Sequence, residues 1–322
     1  MTRSIALLTH AYRLDIKESV AAFRKGMQDI GFDVKMVDDG DDISEAELLV
    51  VFGGDGTILR AAEIARGREL PILGINYGHV GFLAEADPSS IREVAAALKE
   101  RNWSVEKRMT IDITVAFPDG SLISGWALNE VSVEKEASCR MIETDLAVDG
   151  RGLSSFKADG VLFSTPTGST AYNFSAGGPI VWPDVEAILM VPIAAHALFT
   201  RPMVVGINSE LKMHIRSELA DVWCDGRRLI PVPADSIVTA RYGKEPVLLA
   251  RVNDAPFSER LVAKFNLPVA GWRSWQPSVI PAPAQTSSKI SSQTAKQISK
   301  AIPSSPETAA AAISEIGKEN RD

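Results

Sequence analysis

Cysteine is nearly absent from this 322-residue chain: only Cys139 and Cys224 occur. Two thiols 85 residues apart make no disulfide framework, and nothing beside them has zinc spacing. Histidine is as sparse, with His10, His79, His196 and His214 scattered along the chain. Neither H-E-x-x-H nor G-x-S-x-G occurs, which removes the usual marks of zinc and serine hydrolases. A P-loop is excluded because no G-x-x-x-x-G-K-[ST] exists. The dinucleotide fingerprint G-x-G-x-x-G fails too, since Leu59 stands where the third glycine belongs after Gly54 and Gly56. No apolar run approaches the roughly 18 residues of a membrane-spanning helix. The N-terminus, MTRSIALLTHAYRLD, lacks a signal-peptide apolar core and reads as the first strand of a cytoplasmic protein. Positive charge is also short: 34 Lys and Arg face 41 Asp and Glu, for a net charge of −7. That balance argues against a nucleic-acid partner, but leaves open a polyanionic small ligand held in a local pocket.

What is present is a core. Hydrophobic residues make up 45% of the chain and charged residues 23%, which excludes a wholly disordered protein. At about 150 residues per domain the length suggests two domains. The segment 277–322 stands apart, with nine serines, five prolines and no aromatic residue. It cannot bury enough apolar surface to offset its ordering entropy and reads as a disordered C-terminal tail, with Thr308–Ile316 as a marginal helix.

The first hundred residues alternate strand-like and helix-like patterns. Ile5–Leu8, Phe32–Val37, Ala46–Phe52 and Leu70–Ile75 read as strands; Ile16–Ile30, Thr57–Ala65 and Ser89–Trp103 read as helices, the last behind an Asp87-Pro88-Ser89 start. Such alternation predicts a Rossmann-like α/β domain over 1–105, with a mostly parallel sheet and helices on both faces. From Met109 onward short strand candidates follow one another, punctuated by Asp119-Gly120, Asp149-Gly150 and Asp225-Gly226 turns. They predict a β-sandwich domain over 106–276, interrupted by one helical candidate around Pro183–Leu189.

Chemistry concentrates in three places. In VVFGGDGTILRAA (Val50–Ala62) a buried strand runs into Gly53, Gly54, Asp55 and Gly56, and a helix opens at Thr57. Three glycines permit positive φ and leave successive amides bare, which suits a phosphate at a helix N-terminus. Asp55 would repel phosphate unless it serves a metal, takes a proton or orients a hydroxyl. The same residues also read as a tight strand-to-helix turn with Asp55 as its cap. The second place is FKADGVLFSTPTGSTAYNFSAGGPIVWP (Phe156–Pro183). Within 151–183 the charged residues are only Arg151, Lys157 and Asp159, far below the 23% of the whole chain. Ser164, Thr165, Thr167, Ser169, Thr170, Tyr172, Asn173 and Ser175 crowd together instead. Neutral hydroxyls and amides with one aromatic face suit a nucleobase and ribose, and equally a polar connection between strands. The third is Asn129-Glu130 at a strand end, able to read ribose hydroxyls or simply to finish a strand.

In this order, GGDGT before a helix, LGINYGHVGFLAE (Leu73–Glu85), Asn129-Glu130 and DGVLFSTPTGSTAYNFSAGGPIV (Asp159–Val181) resemble the landmarks of NAD kinases, and look most like their actinobacterial branch. HALFTRPMVV (His196–Val205), CDGRR (Cys224–Arg228) and APFSERLVAKFNLPVAGWR (Ala255–Arg273) extend the resemblance, which covers about 3–273. Ala195 departs from the family's proline before His196. GGDGT alone is shared with diacylglycerol-type and sphingosine-type lipid kinases, and a non-catalytic NAD(P)-binding module would keep the same pocket. The resemblance implies transfer of a phosphoryl group from ATP, or polyphosphate in some members, to the 2′-hydroxyl of the adenosine ribose of NAD. It implies Mg²⁺ carried with the donor rather than a protein metal site, no membrane partner, and a homodimer or homotetramer. Residue by residue, it implies Asp55 as the proton acceptor beside Gly56, and Gly53, Gly54, Gly56 and Thr57 as the phosphate loop. Arg60 would meet phosphate one turn along. Asn129 and Glu130 would hold the ribose and base, with Asp159, Arg140 and Lys157 touching the dinucleotide. Thr170, Ala171, Tyr172, Asn173, Phe174 and Ser175 would form the adenosine strip, Tyr172 stacking.

Overall fold

Strands that are buried along their whole length sit in the middle of a sheet, and Leu49–Gly53 and Ile72–Asn76 are of that kind. The computed structural model describes residues 2–9, 16–38, 41–77, 81–86, 90–198, 200–217, 219–253 and 255–268. The segment read as a tail, with its candidate helix, and the Asp87-Pro88-Ser89 start lie outside those residues. Along the first third come β1 (Arg3–Thr9), α1 (Lys17–Asp29), β2 (Phe32–Met36), β3 (Leu49–Gly53), α2 (Asp55–Ala65), β4 (Ile72–Asn76), α3 (Ile91–Glu100) and β5 (Ser104–Arg108). Then follow β6 (Ile111–Ala116), β7 (Leu122–Ala127), β8 (Glu130–Lys135), β9 (Ile142–Val148), β10 (Arg151–Ala158) and β11 (Gly160–Ser164). A 3-10 turn (Thr167–Thr170) and the short α4 (Tyr172–Ser175) precede β12 (Ala187–Ile193), β13 (Met203–Gly206), β14 (Leu211–Ser217) and β15 (Ala220–Cys224). The described chain ends with β16 (Arg228–Val232), β17 (Ile237–Tyr242), β18 (Val247–Arg251) and α5 (Phe257–Phe265).

The first sheet has the order β2-β1-β3-β4-β18-β5. Its pairs are parallel except for β5, which runs antiparallel to β18 at the edge. Helices cover both faces. Val20, Phe23 and Met27 of α1 and Val94 and Leu98 of α3 pack on one side, at the three- and four-residue spacing of a helix stripe. On the other side α2 packs Ile58, Ala61, Ala62 and Ala65.

The remaining strands form two six-stranded antiparallel sheets, β10-β9-β14-β17-β6-β7 and β13-β12-β11-β8-β15-β16. Alternation is regular in β6, whose Ile111, Ile113 and Val115 are buried while the residues between them are less so. Those three meet Val131, Val133, Val161 and Phe163 from the other sheet in one core, so the pair is a sandwich. Asp149-Gly150, the two-residue loop between β9 and β10, and Asp225-Gly226, in the three-residue loop between β15 and β16, take positive φ at both residues, as tight hairpin turns of this kind require.

Two sequence expectations change. Residues 106–276 do not form a purely β domain: β18 inserts between β4 and β5 of the first sheet, so the chain leaves that sheet after β5 and returns to complete it. The return is held by charge. Glu85, with its side chain wholly buried, accepts from Arg251 and from Arg260 of α5, each at 2.7 Å. The helical candidate at Pro183–Leu189 is instead the start of β12, where Ile188–Val191 lie fully buried between β11 and β13. A continuous apolar run carries no period, and its partners decide its form.

Candidate functional site

Three parts of the site are brought together by α2. At its N-terminus β3 ends in Gly53, and Gly54 is the helix N-cap with φ −98° and ψ −172°. None of Gly53, Gly54 or Gly56 has a positive φ, contrary to the sequence expectation. The glycines serve by lacking a side chain. A Cβ on Gly53 would collide with the Thr57 side chain, so that glycine is there for packing. At Gly54 and Gly56 a Cβ would meet nothing within 4 Å, and Gly56 is exposed. Their amides therefore stand open at a helix N-terminus, where backbone dipoles favour an anion.

Asp55 points across this opening to the next loop. Its carboxylate accepts from the Phe82 amide at 3.0 Å and the Leu83 amide at 3.1 Å. Gly81 is pressed so close that a Cβ there would overlap the Asp55 carboxylate. Phe82 in turn heads an aromatic chain: its ring is 5.9 Å from Phe265, which is 4.6 Å from Phe174 of the adenosine strip. Arg60 on the same helix is held by Asp38 at 2.9 Å.

The Asn129-Glu130 pair sits against the flank of α2. Leu128 is fully buried in the α2 core, and Trp126 packs beside it. The turn is pinned from an unexpected quarter: Asp225 accepts from the Leu128 amide at 3.0 Å and the Asn129 amide at 2.7 Å. The Asn129 carbonyl accepts from the Thr165 amide at 2.9 Å, and Gly168 lies directly on it. Glu130 is 7% exposed, and its Oε2 has no hydrogen-bond partner. Burial, and then the charge of Asp225, push its carboxyl up to about 8, although the Tyr172 amide donates to it. Burial also raises Asp225, against the pull of its two amide donors and Arg228. At neutral pH Glu130 is thus a neutral, half-satisfied carboxyl group.

The hydroxyl-rich strip divides in two. Ser164, Thr165 and Ser169 turn inward to backbone carbonyls of Asn129, Leu128 and Val181. Thr167 accepts from the buried Arg108, and Asn173 spends its amide on the Ser169 and Pro179 carbonyls. These build the loop. Thr170 and Ala171 are half-buried, whereas Tyr172, Phe174 and Ser175 are exposed. The Tyr172 hydroxyl donates to Glu134 at 3.3 Å. Asp159 pairs with Lys135 at 3.2 Å, Lys157 is exposed beside Glu143, and Arg140 is exposed. The structure does not bring these three to the Asp55 loop through any hydrogen bond or ion pair among the described residues.

Sequence reasoning read Asp225 as a turn residue and as part of the CDGRR landmark, with no role of its own. Its αL backbone comes from the hairpin; its reach to Leu128 and Asn129, almost a hundred residues back, leaves no local mark. Among the described residues no group of three His, Cys, Asp or Glu side chains could hold a metal ion. A donor-borne Mg²⁺ needs no such cage, since it is usually held by phosphates, water and one or two carboxylates.

The chain resembles known proteins over most of its length. Residues 11–102 match the ATP-NAD kinase N-terminal domain, and 128–252 match the ATP-NAD kinase C-terminal domain. An NAD kinase of Thermobifida fusca is 51% identical over 247 residues, 74% of this chain and 76% of the relative. One from Rhodococcus jostii is 49% identical over 250 residues, 77% of this chain and 78% of its own. Among solved structures, an NAD kinase from Archaeoglobus fulgidus in complex with ATP superposes with a TM-score of 0.68 at 28% identity, covering 82% of this chain and 98% of that one. Yeast NADH kinase complexed with NADH shares the fold, with a TM-score of 0.74 at 22% identity over 83% of this chain and 88% of that one. With both domains matched in order around the glycine loop and the Asn129-Glu130 turn, the chain belongs to the NAD kinase family.

Proposed function

We propose that this protein transfers the terminal phosphoryl group of ATP to the 2′-hydroxyl of the adenosine ribose of NAD, making NADP. One observation carries the reading. The helix that presents Asp55 and the bare Gly54 and Gly56 amides also packs against the turn that holds Asn129 and Glu130. A phosphate-binding end and a ribose-reading turn on one helix are what this transfer needs.

Asp55 is the proton acceptor. Two backbone amides fix its carboxylate, and its remaining lone pairs are free to orient the 2′-hydroxyl. An ordinary carboxylate is a weak base, but phosphoryl transfer is commonly loose and asks for little proton transfer before the P–O bond breaks. The open amides receive phosphate oxygens and stabilise charge on the moving group. Mg²⁺ borne by the donor supplies further charge neutralisation. Glu130, neutral and with one oxygen unpartnered, donates or accepts at a ribose hydroxyl or the base, while Tyr172, Phe174 and Ser175 offer the adenosine face. Polyphosphate is an alternative donor for the same amides. Arg140, Lys157 and Asp159 contact the dinucleotide, the protein assembles as a homodimer or homotetramer, and it works in the cytoplasm.

Incubation with NAD, ATP and Mg²⁺, followed by an NADP-specific dehydrogenase, tests the activity. Replacing Asp55 with Asn should lower turnover by about a hundredfold or more while sparing NAD affinity. Turnover within a few-fold of wild type would remove Asp55 from its role.

A further inference from the structure

The glycine loop and the ribose-reading turn belong to different layers of the fold, yet the reaction needs them in fixed register. One ion-paired network lies between them. Near the far end of α2, Glu63 accepts from Arg227 Nε at 3.0 Å. Arg228 Nε also lies 3.3 Å from Glu63. Arg228 then donates through its other arm to Asp225 at 2.8 Å. Asp225, with its side chain 1% exposed, holds the Leu128 and Asn129 amides. The guanidinium of Arg228 lies over the Trp126 ring at 4.3 Å, and that of Arg66, just beyond α2, lies over the same ring at 4.4 Å.

We propose that Arg228 is a positioning residue for the transfer, setting the distance between Asp55 and the Asn129-Glu130 turn by clamping α2 to Asp225. It touches no reacting atom. Its planar fork donates to Asp225 while its Nε stands at ion-pair distance from Glu63 without a hydrogen bond, and its face stacks on Trp126, which a single ammonium group cannot do. An α-helix rises about 1.5 Å per residue and is stiff over this length, so holding Glu63 holds Asp55 some 12 Å away. The Asp225-Gly226 turn fixes the other end, because the Asp225 carboxylate is held by both the Leu128 and the Asn129 amides. The Arg66–Trp126 stack adds a second point of attachment and stops α2 from pivoting about the first.

This inference rests on the NAD kinase reading, and wild-type NADP formation, assayed in parallel, tests that reading separately. Two variants of different chemistry weaken the link between Glu63 and Asp225, Glu63→Gln at both of its arginines and Arg228→Lys with Arg227 still on Glu63. Glu63→Gln frees α2 but leaves the Arg228–Asp225 pair, so the ribose-reading turn stays built. Arg228→Lys keeps one ion pair and loses the other together with the stack. Both should bind NAD within twofold of wild type by calorimetry. Both should lose about tenfold or more in kcat, since a misplacement near 1 Å can cost that much. Amide exchange gives a readout independent of turnover: residues 59–66 of α2 should exchange faster in both variants while β3 stays protected. The proposal fails if kcat stays within twofold of wild type in both variants, or if α2 exchange is unchanged. It fails equally if NAD affinity falls in proportion to kcat, which would mean a collapsed pocket rather than a lost register.

Discussion

Replacing Glu130 with Gln should make the protein more stable at alkaline pH and nearly indifferent at acid pH. Burial is the main reason its carboxyl rises from an ordinary 4.5 to about 8 in the folded protein, with Asp225 adding to it. Between those values the folded state binds a proton that the unfolded chain releases. Stability therefore falls as pH rises through that window and levels off above about 8. At about 1.4 kcal/mol per pH unit the full span is about 5 kcal/mol. An effective interior dielectric nearer 20 than 4 reduces what is measured, so about 2 kcal/mol is the smallest effect that fits the reasoning. Glutamine copies the neutral acid and has no proton to lose. Urea unfolding of both proteins from pH 4 to pH 9 should show curves that coincide near pH 4, below the unfolded value of 4.5, then separate with the variant more stable. Because Glu130 is neutral at pH 7, NAD binding by the variant should stay within a few-fold there. Parallel stability curves across the range, or a variant that gains at low pH, would refute a buried, protonated Glu130.

Two glycine substitutions separate packing from ligand access. Gly168→Ala places a methyl group on the Asn129 carbonyl and should cost more than about 2 kcal/mol in urea unfolding, since neither backbone can yield. Gly56→Ala meets nothing within 4 Å in the first turn of α2. It should leave stability unchanged or raise it by about 0.5 kcal/mol, while KM for ATP increases because the methyl group stands where phosphate approaches.

Much of this was legible in the sequence because it was local. Val50–Phe52 had to be a buried strand, and a glycine-rich turn before an apolar-periodic stretch had to open a helix. The DG pairs marked hairpins, and two of them adopt the paired positive φ that their chemistry allows. What the sequence hid depends on partners distant in the chain. Val247–Arg251 has the composition of any buried strand, and nothing in it says that its neighbours are Ile72 and Ser104–Arg108 rather than the sandwich. The hydroxyls of 164–175 look alike as letters, but the backbone path turns Ser164, Thr165 and Ser169 inward and leaves Tyr172 and Ser175 outside. Of the two properties read for the glycine loop, the structure uses only the absent side chains: none of Gly53, Gly54 and Gly56 takes a positive φ.

Charge is the point on which sequence and structure together say more than either. The segment 277–322 carries five basic and four acidic residues, a net +1, so the rest of the chain is at −8 when the total is −7. A polyphosphate-bearing donor must enter against that field. The buried arginines offset little of it, since Arg108, Arg251 and Arg260 share Glu106 and Glu85 and leave a surplus of one positive charge against −8. Arg60 is balanced by Asp38, and Arg228 by Asp225 and Glu63. The attraction left at the loop is therefore dipolar and short-ranged: the Gly54 and Gly56 amides and the N-terminus of α2, acting on a donor whose own cation has already masked part of its charge. Dipoles of that kind select by fit, because they fall away within a turn of the helix. A negative body with a bare, precisely placed amide cradle repels polyanions in general and retains the one that docks, provided the acceptor ribose is held in register with it. The clamp from α2 through Arg228 to Asp225 supplies that register, so recognition of donor and acceptor rests on one helix, at its open end and along its flank.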